Sequence, residues 1–287
     1  MTEKYLKLAH FSDLHLAGRT ARRQLGYLDE LLTAIVNNGC SHIVITGDLV
    51  NSANPADWQV VKDALQKKGL YAWDKVTLIP GNHDLINLEE EIRLYNSLNP
   101  LGNGRKKRFR RKMREFCRFF SELMTGEEQD TGFPFIKVLK YSDVTLSLVL
   151  VNTVSHWMNI ENPLGARGYV SPGEFKALAT SQVQNAIKDS FVIGVFHHAY
   201  NIYGTDSLID QAFDWTMELR NRRELLVAMK KLNADMLLHG HFHRFQAYTA
   251  GGIRIINGGS FNVNPRRYSE IVIGGAERCT QRFVDID

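Results

Sequence analysis

The stretch His42-Ile43-Val44-Ile45-Thr46-Gly47-Asp48-Leu49 is a short β-branched apolar run, closed by a glycine and followed at once by a carboxylate. A run of this length and composition predicts a buried strand whose C-terminal end presents Asp48. In open α/β sheets, ligands bind at such strand ends. Two other stretches repeat the plan: residues 5–12 deliver Asp13 and His15 into a turn, and 76–79 run into Pro80-Gly81-Asn82-His83-Asp84. Between the first two, Leu25, Leu28, Leu31, Leu32, Ile35 and Val36 recur with a helical period over 20–38, stopped by Asn38-Gly39. Residues 55–68 read as a second helix, with Pro55 in its first turn and Gly69 past its end. Strand, helix, strand, helix, strand predicts a parallel βαβ arrangement with all three polar turns on one edge.

The remainder is less regular. Residues 88–98 predict a helix, and 105–124 an amphipathic helix with a basic face, since Phe109, Met113, Phe116, Phe120 and Leu123 fall at spacings of three or four. Residues 137–141 and 144–152, joined by Ser142-Asp143, predict a hairpin that opens a second, more antiparallel half. Ser171-Pro172-Gly173-Glu174 fits a capping box that launches a helix to 188. A strand over 191–196 ends at His197-His198, a helix covers 212–232, and a strand over 236–238 ends at Gly240-His241-Phe242-His243. The tail carries short β-rich runs at 254–256, 271–273 and 282–284.

A chain of 287 residues with 44% hydrophobic content can bury a full core, and one domain over 1–287 is expected, with a basic helical insertion over 100–130. The three cysteines, Cys40, Cys117 and Cys279, lack metal-type spacing and predict reduced thiols in a cytoplasmic protein. The first ten residues carry charges and no signal-like apolar run, and no stretch approaches the ~20 apolar residues of a membrane helix. The net charge of +4 is uneven: 105–118 holds nine Lys/Arg against Glu115, a local +8, which leaves the rest at −4.

Eight of the ten histidines lie in or beside the strand-end turns, together with Asp13, Asp48 and Asn82. Imidazole, carboxylate and carboxamide donors without thiolates suit Zn, Mn, Fe or Co. One ion rarely takes as many ligands as Asp13, His15, Asp48, Asn82, His197, His241 and His243 offer, so two metals sharing one oxygen donor are expected, with Asp48 as the candidate bridge.

In order, Asp13-x-His15, Gly47-Asp48, Gly81-Asn82-His83-Asp84, His197-His198 and Gly240-His241-x-His243 resemble the five signature motifs of the calcineurin-like metallophosphoesterases, including the cyclic-nucleotide phosphodiesterase type. The resemblance implies a four-layer α/β/β/α sandwich and a phosphoesterase that uses two transition-metal ions, Mn, Fe or Zn. It assigns Asp13, His15, Asp48 and His243 to the first metal and Asp48, Asn82, His197 and His241 to the second, with a hydroxide held between them as nucleophile. It makes His83 the catalytic residue that stabilises charge or protonates the leaving oxygen. Asp84 is expected to orient the His83 ring, and Asn82, His83 and His198 to touch substrate. Ala199-Tyr200-Asn201 replaces the prolines usual after the histidine pair, which leaves the substrate open. His10 and His239 are expected to be structural, and His42 and His156 ordinary.

The expected substrate is a small phosphodiester, such as a cyclic nucleotide. A hydrolase of lipid-linked pyrophosphates or phosphodiesters, docked to an anionic lipid or membrane surface through Arg105–Arg118, is the first alternative. A nuclease is disfavoured because only a short tail follows His243. A non-catalytic binding module on the same fold is the last alternative. The basic helix itself reads as a solvated face, a lid over the site or a membrane contact, and the oligomeric state is not encoded in any of these features.

Overall fold

In the computed structural model, residues 5–16, 21–97, 103–127, 132–142, 144–200, 215–274 and 278–286 are described. Three strands, β1 (Leu6–Phe11), β2 (His42–Ile45) and β3 (Val76–Leu78), alternate with helices α1 (Ala21–Asn37) and α2 (Pro55–Lys67). β1 pairs parallel with β2, and β2 with β3, as expected. Four helices follow: α3 (Asn82–Leu85), α4 (Leu88–Ser97), α5 (Asn103–Phe119) and α6 (Ser121–Thr125). β4 (Phe135–Lys140) and β5 (Thr145–Leu150) form the predicted hairpin. After α7 (Pro172–Leu178) and α8 (Ser181–Ala186) come β6 (Phe191–Val195), α9 (Arg222–Lys231), β7 (Met236–His239), β8 (Phe245–Ala250), β9 (Ile253–Gly258), β10 (Arg267–Ile273) and β11 (Cys279–Asp285).

The strands form two sheets, ordered β11-β10-β1-β2-β3 and β4-β5-β6-β7-β9-β8. The expected division into a parallel and an antiparallel half does not hold. β5, β6, β7 and β9 are all parallel, flanked by antiparallel β4 and β8, while antiparallel β10 and β11 close the first sheet. Both sheets are therefore mixed: the first carries its parallel strands β1, β2 and β3 towards one edge, the second has its parallel strands at the centre. The reason lies in burial: strands covered on both faces read as unbroken apolar runs, and β5, β6 and β7 are such runs, which belong to crossover units rather than hairpins.

Three cores separate four layers. Ala9, Phe11, Ile43 and Ile45 turn outward against Leu28, Leu31, Trp58 and Phe116 of the first helical layer. Their alternate neighbours, Leu6, Leu8 and Val44, turn inward and meet Leu148, Ile193, Val195 and Leu238 between the sheets. On the far side, Val149, Val192, Leu237 and Ile255 pack on Leu178, Leu225 and Met229. This period-two division of each strand produces the α/β/β/α sandwich.

Three predicted helices are shorter than expected. The basic helix stops at Phe119, and Phe120 (φ −105°, ψ 17°) caps the separate α6. The helix launched by the Ser171 capping box stops at Leu178, because Thr180 caps a new one by accepting from the Val183 N–H. Of the helix expected over 212–232, residues 212–214 lie outside the described set; 215–217 are helical, the isolated bridge of Leu219 with Gly168 interrupts the run, and helix resumes at Arg222. No helix among the described residues is long and apolar enough to cross a membrane.

Candidate metal centre

Every expected ligand sits just past a strand end, all on the same edge. The turns after β1 and β2 are zipped together: the Asp13 N–H donates to Gly47 O (3.0 Å) and the His15 N–H to Asp48 O (2.9 Å). That ladder is bent by unusual backbone. Asp13 (φ 55°), His15 (47°), Asp48 (51°), His241 (73°) and His243 (49°) all adopt the left-handed conformation. For a residue with a Cβ this costs roughly 1–2 kcal/mol, and clustering of such strain marks a site held in place by its surroundings. Gly81 is required for a related reason, since a Cβ there would overlap the Asp48 carboxylate.

The donor atoms converge. His243 Nε2 lies 3.2 Å from Asp13 Oδ1 and 3.2 Å from His15 Nε2, which is 3.8 Å from an oxygen of each of Asp13 and Asp48. On the other side of Asp48, His197 Nε2 lies 3.3 Å from Asp48 Oδ2, 3.1 Å from Asn82 Oδ1 and 3.2 Å from His241 Nδ1. Asp13, His15 and His243 form one trio and Asp48, His197 and His241 another, each with ligand atoms within 4.8 Å of one another; a third trio joins His15, Asp48 and His83.

The tautomers are set from behind. His197 Nδ1–H donates to Thr46 O (2.7 Å) and His15 Nδ1–H to Asn51 Oδ1 (3.0 Å), so each turns the lone pair of Nε2 into the cluster. His241 Nε2 is buried with no hydrogen-bond partner among the described residues. Nitrogen lone pairs facing each other and two carboxylates form an arrangement that protein alone does not favour. Donors that share a cation at ~2.0–2.2 Å lie roughly 3.0–3.4 Å apart, which is the spacing seen here, so the residues fit a pair of transition metals.

Without a cation, protons carry the balance. Burial opposes a charge on His197, yet the adjacent Asp48 carboxylate dominates and pushes the imidazole up to about 9. Burial likewise opposes ionisation of Asp48, but the His197 charge and hydrogen bond hold it well below the usual carboxylate range. Asp13 is held low by the His243 hydrogen bond and the His197 charge, against the same opposing effect of burial. His241, desolvated and beside His197, falls to about 3 and offers a neutral imidazole.

Two expected roles need correction. Asp84 does not orient His83: its carboxylate accepts from the backbone N–H groups of Gly81 (2.8 Å), Leu49 (3.2 Å) and Val50 (3.1 Å), clamping the turns after β2 and β3 together. Burial and the nearby Asp48 push its carboxyl up to about 8, against the pull of those N–H groups. The His83 ring is instead anchored by Nδ1–H to Asn51 O (3.2 Å), and its own N–H donates to Asp48 Oδ1 (2.9 Å). His198 is not a surface for substrate. It is fully buried behind His241 (ring centroids 4.5 Å apart), with the Thr153 hydroxyl at its Nδ1 (2.9 Å).

His10, bonded to Thr46 Oγ1, and His239, bonded to Tyr248 and stacked on Phe196, are structural as expected. Asn51 was missed by the sequence reading, although it holds His15 through its side chain and His83 through its carbonyl. A carboxamide three residues past Asp48 was its only trace.

The sequence model of the calcineurin-like phosphoesterase family matches residues 6–245. No curated protein matches the chain. Among solved structures it is similar to a dimetal phosphatase from Danio rerio (12% identity, 98% of this chain and 99% of that one, TM-score 0.56). It is also similar to the phosphopantetheinyl hydrolase PptH from Mycobacterium tuberculosis (14%, 97% and 96%, 0.50) and to GAP50, the anchor in the inner membrane complex of Plasmodium (13%, 98% and 84%, 0.54). At these identities the likeness concerns the fold alone.

Proposed function

The chain belongs to the calcineurin-like phosphoesterase family, and from that premise we propose that it hydrolyses a phosphodiester at the cluster around Asp48. The observation that carries the proposal is the pair of donor trios meeting at one carboxylate, with His83 beside them. Asp13, His15, Asp48 and His243 would hold one metal; Asp48, Asn82, His197 and His241 would hold the other. Bound there, the metals would polarise a phosphoryl oxygen and lower the pKa of water towards ~7.

The protein's own contribution is orientation and proton handling. Asn51 and Thr46 keep the donor nitrogens of His15 and His197 turned inward, so no reorganisation accompanies binding. His83, anchored at Nδ1, leaves Nε2 as the ring nitrogen that would hand a proton to the departing oxygen. Free cysteines at Cys40, Cys117 and Cys279 support a cytoplasmic setting.

The test is metal analysis of the purified protein, followed by assay of mono-, di-, cyclic and pyrophosphate esters with Mn²⁺. Bound transition metal and diester turnover are expected. A protein that neither retains metal nor responds to Mn²⁺ would instead be a binding module built on this fold.

A further inference from the structure

Between α5 and the chain that follows β5 lies a groove of about 1180 Å³. Its volume lies just above the ~300–1,000 Å³ of ordinary small-ligand pockets. Lys106, Lys107, Arg110 and Arg114 line it, all four exposed. Three other cations of α5 have acidic partners: Arg108 pairs with Glu91, and Arg111 and Lys112 with Glu115. The four groove cations have none among the described residues.

Beneath them the surface is apolar, with Phe109, Met113, Phe133, Val154 and Tyr169 partly or wholly buried. Among the described lining residues the one carboxylate, Glu174, is turned to the N–H groups of Asn152 (3.0 Å) and Ser171 (3.2 Å) rather than to the cations. A solvated helix face has no such concavity behind it. Unpaired cations over an apolar floor complement a ligand that is anionic at one end and apolar at the other.

The groove wall is braced against the segments that carry the metal centre. Thr153, between Asn152 and Val154 of the groove wall, accepts the backbone N–H groups of His197 (3.3 Å) and His198 (3.1 Å). Helix α5 also packs against α3, which carries Asn82 and His83.

We propose that this groove takes the apolar chain of an amphiphilic phosphoester substrate, with Lys106, Lys107, Arg110 and Arg114 holding its anionic groups. The assignment rests on the hydrolase reading for its catalytic meaning, but the binding site can be tested without metal. Ethyl, butyl and octyl phosphate are titrated calorimetrically into the metal-free protein. Burial of methylenes predicts affinity rising about fourfold per carbon, on the order of 200-fold from butyl to octyl. Met113→Asp should flatten that dependence. The exposed double variant Lys107→Glu/Arg110→Glu, which leaves the core untouched, should weaken every alkyl phosphate by a similar, salt-sensitive factor.

Equal affinity for butyl and octyl phosphate overturns the proposal. So does recruitment to anionic vesicles with no chain-length effect on monomeric ligands, which would assign the helix to a membrane surface. Methyl and octyl nitrophenyl phosphodiesters with Mn²⁺ separate the two ideas. Turnover of both at equal kcat/KM removes the groove and keeps the hydrolase, whereas chain-dependent binding with no turnover keeps the groove and removes the hydrolase.

Discussion

The two sheets feed the same cluster in different ways. The β1–β3 ends supply both carboxylates, Asp13 and Asp48, with His15, Asn82 and His83, and their turns are tied to one another by backbone hydrogen bonds and by Asp84. The β6 and β7 ends supply only imidazoles, His197, His241 and His243, tied to the first sheet through Thr46 O and Asp13 Oδ2. One half is thus an anionic, self-braced platform and the other a set of imidazoles delivered by packing. Neither is a metal site alone, so the docking of the two sheets, held by the apolar core between them, is what brings the full donor set together before metal binds.

The comparison breaks first at Asp48, the residue on which both donor sets meet. Asp48→Asn should lower turnover by at least about 10³-fold and strip metal from the protein, read by metal analysis beside the assay. Next, His83→Asn should cost about 10²–10⁴-fold in kcat with metal content unchanged, since His83 works on the platform side without holding it together. Equal metal loss in both variants would refute the division of roles.

A sharper cut is Asn51→Ala, which leaves every ligand present but frees the His15 tautomer and ring. Metal affinity should fall roughly 10–100-fold, and Asn51→Asp, which keeps an acceptor facing Nδ1, should restore most of it. Calorimetric metal titration decides this, and unchanged affinity in Asn51→Ala would show that zipped backbone alone places His15.

The smallest effect concerns the sheets away from the metals. Lys137 of β4, 2% exposed, reaches across to Val76 O (2.9 Å) and Thr77 Oγ1 (3.0 Å) of β3 and to Leu123 O (2.7 Å). Three acceptors match its three protons, but burial without a carboxylate partner pushes its pKa down to about 7 from 10.5. The folded protein then binds fewer protons than the unfolded chain between those values. This group's contribution should therefore rise from pH 7 towards pH 10, by a few kcal/mol at most. Denaturant melts should show that slope reduced in Lys137→Met; an identical slope would mean the ammonium is fully compensated in place.

Much of this was legible in advance. Alternation and β-branching located β1 to β3, and turn residues at their ends located Asp13, His15, Asp48 and Asn82, because strand and turn preferences act within a few residues. The same local view mistook the second sheet for an antiparallel one, since β5, β6, β7 and β9 look alike whether they run parallel or not. It missed β8, whose Phe245–Ala250 segment lacks a β-branched run. It also gave Asp84 to the wrong partner: a carboxylate beside a histidine in sequence suggests a pair, whereas backbone N–H groups some 35 residues away compete better for it.

The order and chemistry of the ligands, the parallel βαβ start and the concentration of positive charge in one helix were determined by the sequence itself, because each depends on residues that are neighbours along the chain. Tertiary structure alone decided that His15 meets His243 across 228 residues and that His197 docks on Thr46 across 151. It also decided that His198 is sealed from substrate and that four of the basic residues overhang an apolar groove. These outcomes depend on which faces two sheets bury against each other, and the free energy of that burial is shared over the whole core rather than written in any one motif.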